Sequence, residues 1–243
     1  MKEVCFMHDK MIWFNEKMPY AFHGNIVEWD MEKASLSVCE RFNLLDKNEI
    51  IRMKGLPKLE RERAMGMHQR GNKEFSNQLL SGIREIRRKF LEVNGLDETN
   101  TLSLHNDAII FNSRKQIISN IEGINFHHDH TWDAYVRYDR AEIFYKMDDD
   151  GIASLDFKNV GKEKVQEHTM GLNKYLMKVI EYLENYDQDV FQYMRKFQKK
   201  YLQDQLPEYY YSAFTKIGDF KTTNFEFFGF LANVVLKEVS SWK

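Results

Sequence analysis

The feature that most constrains this chain is a long helical stretch enclosed between two sets of strand-forming residues. Pro57 stands where a helix can begin, and helical character runs from Lys58 to about Val93, closed by Asn94-Gly95. Gly66, Gly71 and Gly82 lie inside the run, which predicts a bend or a split into two helices. Before it, Ile26–Met31 reads as a strand leading into a helix over Lys33–Asn43. Asp46, with Glu49 three positions on, has the pattern of a capping box for a short helix ending near Gly55. After it, from Thr101 to about Val160, the pattern changes to strands. Helices and strands thus segregate along the chain, and the expected class is α+β.

The strand region opens with Thr101–His105 and Ala108–Phe111, which flank Asn106-Asp107 and read as a tight hairpin. Ile124–His128, Thr131–Tyr138, Ala141–Met147 and Ile152–Phe157 supply further strands, with Asp148-Asp149-Asp150-Gly151 as a turn. Beyond Gly161 the chain reads as helical again, about 162–184 and 187–205, up to Pro207. The tail from Glu208 is aromatic and gives no clear pattern.

With 43% hydrophobic and 30% charged residues, the composition suits a packed domain and excludes a disordered one. Only Cys5 and Cys39 are present, so a disulfide framework or a cysteine zinc site is not expected and a reducing compartment is. No signal-peptide pattern and no apolar run of about 20 residues occurs, which predicts a cytoplasmic protein with no membrane partner. Net charge is −2, yet residues 52–90 carry eleven Lys/Arg against four Glu. Such a local excess is either a phosphate-contacting surface or a solvated helix face.

Two aspartates stand at positions that carry chemistry. Alternation along Ile26–Met31 puts Ile26, Glu28 and Asp30 on one face, with Asp30 at the strand end. Asp107 sits at the tip of the apolar hairpin. Carboxylates brought together in this way suit a two-metal Mg²⁺ (or Mn²⁺) site, because these ions prefer hard oxygen ligands shared with substrate phosphates.

At these residues the sequence resembles the family A DNA polymerases. Asp30-Met31-Glu32-Lys33-Ala34-Ser35-Leu36-Ser37 has the layout of their motif A, and Asn106-Asp107-Ala108-Ile109-Ile110-Phe111 follows their motif C. The resemblance covers about residues 25–112. It implies a polymerase-type palm over 1–160, with a reduced helical fingers-like insertion at about 56–95, and a helical thumb-like region over 161–243. By it, Asp30 and Asp107 are the metal-binding and catalytic pair. Arg61, Arg63, Arg70 and Lys73 are the choices for triphosphate or backbone contact. Ser35 stands where the family has a bulky residue, so a ribose 2′-OH would be tolerated. Ala108 departs from the pattern by replacing an acid.

The expected function is therefore a small nucleotidyltransferase that joins nucleoside triphosphates to a nucleic-acid 3′-hydroxyl. The alternatives are a catalytically inactive palm-derived nucleic-acid-binding or scaffold subunit of a replication or transcription complex, and a split enzyme whose missing fingers or thumb come from a protein partner. Richness in Lys, Asn, Ile, Phe and Tyr hints at a virus or mobile element, acting in a bacterial or virus-infected cell.

Other candidates are weaker. Glu28 reads as a strand-edge charge that could assist Asp30. In His127-His128-Asp129-His130, His127 and Asp129 share one face and His128 and His130 the other, too few on either for zinc, so a turn or surface is expected. His105 reads as a packed hairpin histidine. Tyr209-Tyr210-Tyr211, Phe214, Phe225, Phe227, Phe228 and Phe230 could stack on bases, but packing explains them better.

Overall fold

The computed structural model describes residues 10–138, 140–159, 170–211 and 224–242. In chain order the elements are β1 (Ile12–Phe14), β2 (Tyr20–Ala21), β3 (Ile26–Met31), α1 (Ala34–Arg41), α2 (Lys47–Lys54), α3 (Lys58–Gln69) and α4 (Lys73–Val93). There follow β4 (Thr101–His105), β5 (Ala108–Asn112), β6 (Asn120–Ile121), β7 (Ile124–Trp132), β8 (Ala134–Tyr138), β9 (Ala141–Met147) and β10 (Ala153–Lys158). Helices α5 (Met170–Glu184), α6 (Val190–Leu202) and α7 (Asn224–Ser241) complete the α+β fold. Among the described residues no helix is long and apolar enough to cross a membrane.

The chain divides into two compact units, one of residues up to Glu16 with Val27–His130, the other of Lys17–Ile26 with Thr131 onward. The boundary therefore falls near residue 130, not 160. The reason is strand pairing: β8, β9 and β10 form a sheet of their own, and β2 joins it through Tyr20↔Val136 and Ala21↔Tyr135.

The first unit is a six-stranded sheet in the order β1-β4-β5-β3-β7-β6. Its helical stretch is split where expected: Gly71 takes φ +82°, and the Asn72 side chain caps α4 by accepting from the Phe75 amide at 2.9 Å. Asp46 caps α2 in the same manner through the Glu49 amide. Helix α4 packs into the core. Its apolar stripe of Phe75, Leu79, Ile83, Ile86 and Phe90 is buried in the core with Val27, Leu104, Phe111 and Phe126. Phe90 sits at the centre, its ring 4.3 Å from that of Phe126 and 6.2 Å from Trp29.

The second unit packs α5, α6 and α7 with its four-stranded sheet in the order β10-β9-β8-β2. Here the aromatic residues of the tail are core, as packing predicted. Phe227 and Phe228 are buried, Phe230 meets Tyr138, Tyr210 lies edge-on to Phe197, and Tyr211 lies against Tyr201. The side chains of Tyr209, Phe214 and Phe225 fall outside the described residues. Asp148 makes the expected turn, accepting from the amides of Asp150 and Ile152.

Candidate active site

Strand β3 ends at Met31, and the left-handed Lys33 (φ +47°) turns the chain into α1. This places Asp30 beside the β3–α1 junction. On the neighbouring strand pair, His105 faces Ala108 and leaves Asn106-Asp107 as a two-residue turn, with Asn106 at φ +47°. Asparagine tolerates that conformation better than most side chains. The Met31 amide then donates to the Asp107 carbonyl at 3.3 Å, so the strand end and the hairpin tip meet. On the other side of β3, the Glu32 amide donates to the Asn125 carbonyl at 2.8 Å and sets the position of β7.

These junctions open on one cavity of about 860 Å³ within the first unit. Asp30, Ser35, Arg61 and Asp107 all line it, together with Lys58, Glu62 and Gln69 of α3 and His127 and Asp129 of β7. Its size is that of a small-molecule or cofactor site. Burial raises the Asp107 carboxyl above the usual carboxylate range. Its own backbone amide and the positive charges of Arg87, Lys58 and His127 pull it back.

The remaining basic residues singled out in the sequence do not reach this cavity. Residues 58, 61, 62, 65 and 69 form one face of α3, at helical spacing. Arg63 lies on another face and lines a separate cavity of about 610 Å³ with Glu49, Arg52 and His68. There Glu49 is held down to about 2 by the hydrogen bonds it accepts from Arg52 and from the His68 ring. Arg70 and Lys73 stand either side of the Gly71 break and are exposed, outside the cavity lining.

Sequence reading missed Lys58, Gln69, His127 and Asp129. The signals were present: the helical period of α3 marks the first two, and the predicted shared face of His127 and Asp129 marks the others. The His127–His130 segment is strand rather than turn, though its side chains are exposed as expected. Glu28 is not an edge charge but is only 2% exposed. Its carboxylate, that of Asp129 and a ring nitrogen of His130 lie within 4.8 Å of one another. His105 is a packed histidine, edge-on to Phe14 and hydrogen-bonded to Ser103.

Arg87 of α4 is a buried charged side chain beneath the hairpin to which sequence reading gave no role. It is 1% exposed, and its guanidinium donates to the carbonyls of Asn106 at 2.7 Å, Met11 at 3.0 Å and Lys10. Burial lowers its pKa to about 10, helped by the nearby Arg84 and opposed by Asp107. It therefore stays charged, and removing it would take a donor from three carbonyls, of which that of Met11 keeps the Asn106 amide; an unsatisfied buried polar group costs about 1–3 kcal/mol.

The chain matches the family model described as Bacteriophage PBS1 gene 130 protein over residues 4–238. It belongs to that family. The match takes in both units, so the gene 130 family is defined over the cavity-bearing unit and the aromatic unit alike. No curated protein matches the chain.

Proposed function

We propose that this chain is a small polymerase-type nucleotidyltransferase, transferring a nucleotide from a nucleoside triphosphate to a nucleic-acid 3′-hydroxyl with release of pyrophosphate. One observation carries the reading: Asp30 and Asp107, distant in sequence, line the same cavity as the cations Lys58 and Arg61. The adjacency of β3 to the β4–β5 hairpin supports a palm related to that of the family A polymerases. In this reading α3 and α4 serve as reduced fingers and the second unit as the thumb-like part.

The residues present fit Mg²⁺ or Mn²⁺. Asp30, Asp107 and Asp129 all line the cavity, and hard divalent cations prefer carboxylate ligands. Asp129 fills from β7 the role of the acid absent at Ala108. When bound, the ions supply charge neutralisation and activation of the attacking hydroxyl. Lys58 and Arg61 hold the triphosphate oxygens, Arg61 in a fork and Lys58 as a point charge. Ser35 leaves room beside the sugar, so ribonucleotides are accepted. A phage family is in keeping with action in the cytoplasm of an infected bacterial cell.

Incorporation assays on primer-templates with Mg²⁺ or Mn²⁺ and each nucleotide test the reading. Activity is expected in the natural chain and loss of at least a hundredfold in Asp30→Asn and Asp107→Asn; activity surviving either substitution rules the site out. If no incorporation occurs but nucleic acid binds with a steep salt dependence, the chain is instead a palm-derived binding or scaffold subunit, a reading that Ala108 favours. Activity that appears only with a co-purifying partner identifies a split enzyme.

A further inference from the structure

Asp107 sits between two peptide groups, and each is held from outside its own hairpin. The Asn106 carbonyl belongs to the peptide that carries the Asp107 amide, and it accepts from Arg87 at 2.7 Å. The following peptide, that of the Asp107 carbonyl, accepts from the Met31 amide at 3.3 Å. With both flanking planes fixed, the backbone dihedrals of Asp107 are fixed too, and so is the direction in which its side chain leaves the turn. The Met11 carbonyl ties the arrangement to the chain ahead of β1, accepting from both the Asn106 amide at 2.8 Å and Arg87 at 3.0 Å.

We propose that Arg87 is a positioning residue: from beneath the hairpin it aims the Asp107 carboxylate into the cavity and so sets the divalent-metal affinity of the site. The inference rests on the reading of Asp107 as a metal ligand. It follows from the shape of guanidinium. A planar fork can serve several carbonyls at once, whereas an ammonium on a flexible stem serves them poorly. Helix α4 holds the fork still, because Phe90, one turn on, is locked among Trp29, Phe111 and Phe126. Arg87 touches no substrate; it acts through the turn and through its charge on Asp107.

The experiment is Mn²⁺ binding followed by electron paramagnetic resonance, on the full chain and on R87K, R87M and D107N, with L79A as a control. Leu79 is a buried residue of the same helix that does not bond the hairpin. Substitutions in the shell around metal ligands cost about 10–100-fold in affinity. The expected result is about tenfold weaker binding in folded R87K, more in R87M, loss in D107N, and unchanged affinity in L79A despite its lower stability. Folded R87K and R87M that bind Mn²⁺ like the natural chain, while D107N does not, overturn the role of Arg87 and leave the site intact. Unchanged binding in D107N sinks the metal site itself, and the inference with it. If neither Arg87 variant folds, or if L79A loses Mn²⁺ as they do, Arg87 is a structural residue only and the proposal is overturned.

Discussion

The backbone amide of Met31 donates to the carbonyl of Asp107 at 3.3 Å, which ties the end of β3 to the tip of the β4–β5 hairpin. The strand end that carries Asp30 and the turn that carries Asp107 are thus joined through the sheet. The junction also has a thermodynamic consequence. Burial raises the Asp107 carboxyl pKa, so its ionised form is disfavoured in the folded chain. The sign is that of a raised carboxylate: its contribution is favourable below the ordinary value and is lost as pH rises through the folded one. Asp107→Asn should therefore abolish Mn²⁺ binding yet leave the melting temperature at pH 7 unchanged or higher. Calorimetry decides it, and a clear drop in Tm would contradict the electrostatic account.

The aspartate pair was legible because local rules fix both members. A strand end follows from the apolar run before Asp30, and a two-residue turn follows from Asn106-Asp107 between apolar strands. The cavity lining takes in Arg61 but not Arg63, Arg70 or Lys73, because charge content says nothing about helical phase. Phase becomes readable only once Met65 is known to be buried, which then places 58, 61, 62 and 69 on its side. The unit boundary was hidden for a different reason. Pairing of Tyr20 with Val136 is non-local, and no turn or linker in the sequence announces it.

Two glycines inside helices should respond oppositely to alanine. A Cβ on Gly82 would stand 2.5 Å from Val38 Cγ1 and 3.1 Å from the Phe42 ring, so α1 and α4 pack closely only because no side chain intervenes. Overpacking of this kind costs about 1–3 kcal/mol, more than the ~1 kcal/mol of helix propensity gained. Gly66 of α3 has nothing within 4 Å of its would-be Cβ. Gly82→Ala is expected to lower stability in urea unfolding and Gly66→Ala to raise it by up to about 1 kcal/mol.

Phe90 is fully buried and in ring contact with Trp29, Phe111 and Phe126. It joins α4 to three strands, and neither neighbour strand nor helix can move into the space it would vacate without disturbing the others. Phe90→Ala should cost about 3–5 kcal/mol, at the level of transfer plus cavity terms. Phe90→Leu should cost less than half of that. Equal losses in the two variants would mean that ring contacts, not volume, dominate the centre of this core.

In the second unit, Glu184 of α5 accepts from the His23 amide at 2.8 Å, while the His23 ring stacks on Tyr186 at 3.8 Å and lies 3.7 Å from Glu184 on one side and from Glu238 on the other. Burial pushes the Glu184 carboxyl up to about 7, with Asp133 and Glu238 adding to the rise and the His23 amide opposing it. Between about pH 4.5 and 7 the folded chain thus holds a proton that the unfolded chain has released. Stability from this group is full below that window and is lost as pH rises through it, by an amount on the order of 2–3 kcal/mol. His23 works the other way: burial lowers its pKa, so it costs stability as pH falls below its ordinary value. Urea unfolding at pH 5, 6.5 and 8 should show the natural chain weakening toward alkaline pH and Glu184→Gln weakening less, since glutamine keeps an oxygen for the His23 amide but cannot ionise. His23→Ala should steepen the alkaline loss by removing the opposing group. Parallel curves for the natural chain and Glu184→Gln would show that the carboxylate is ionised throughout and that its burial carries no energetic weight.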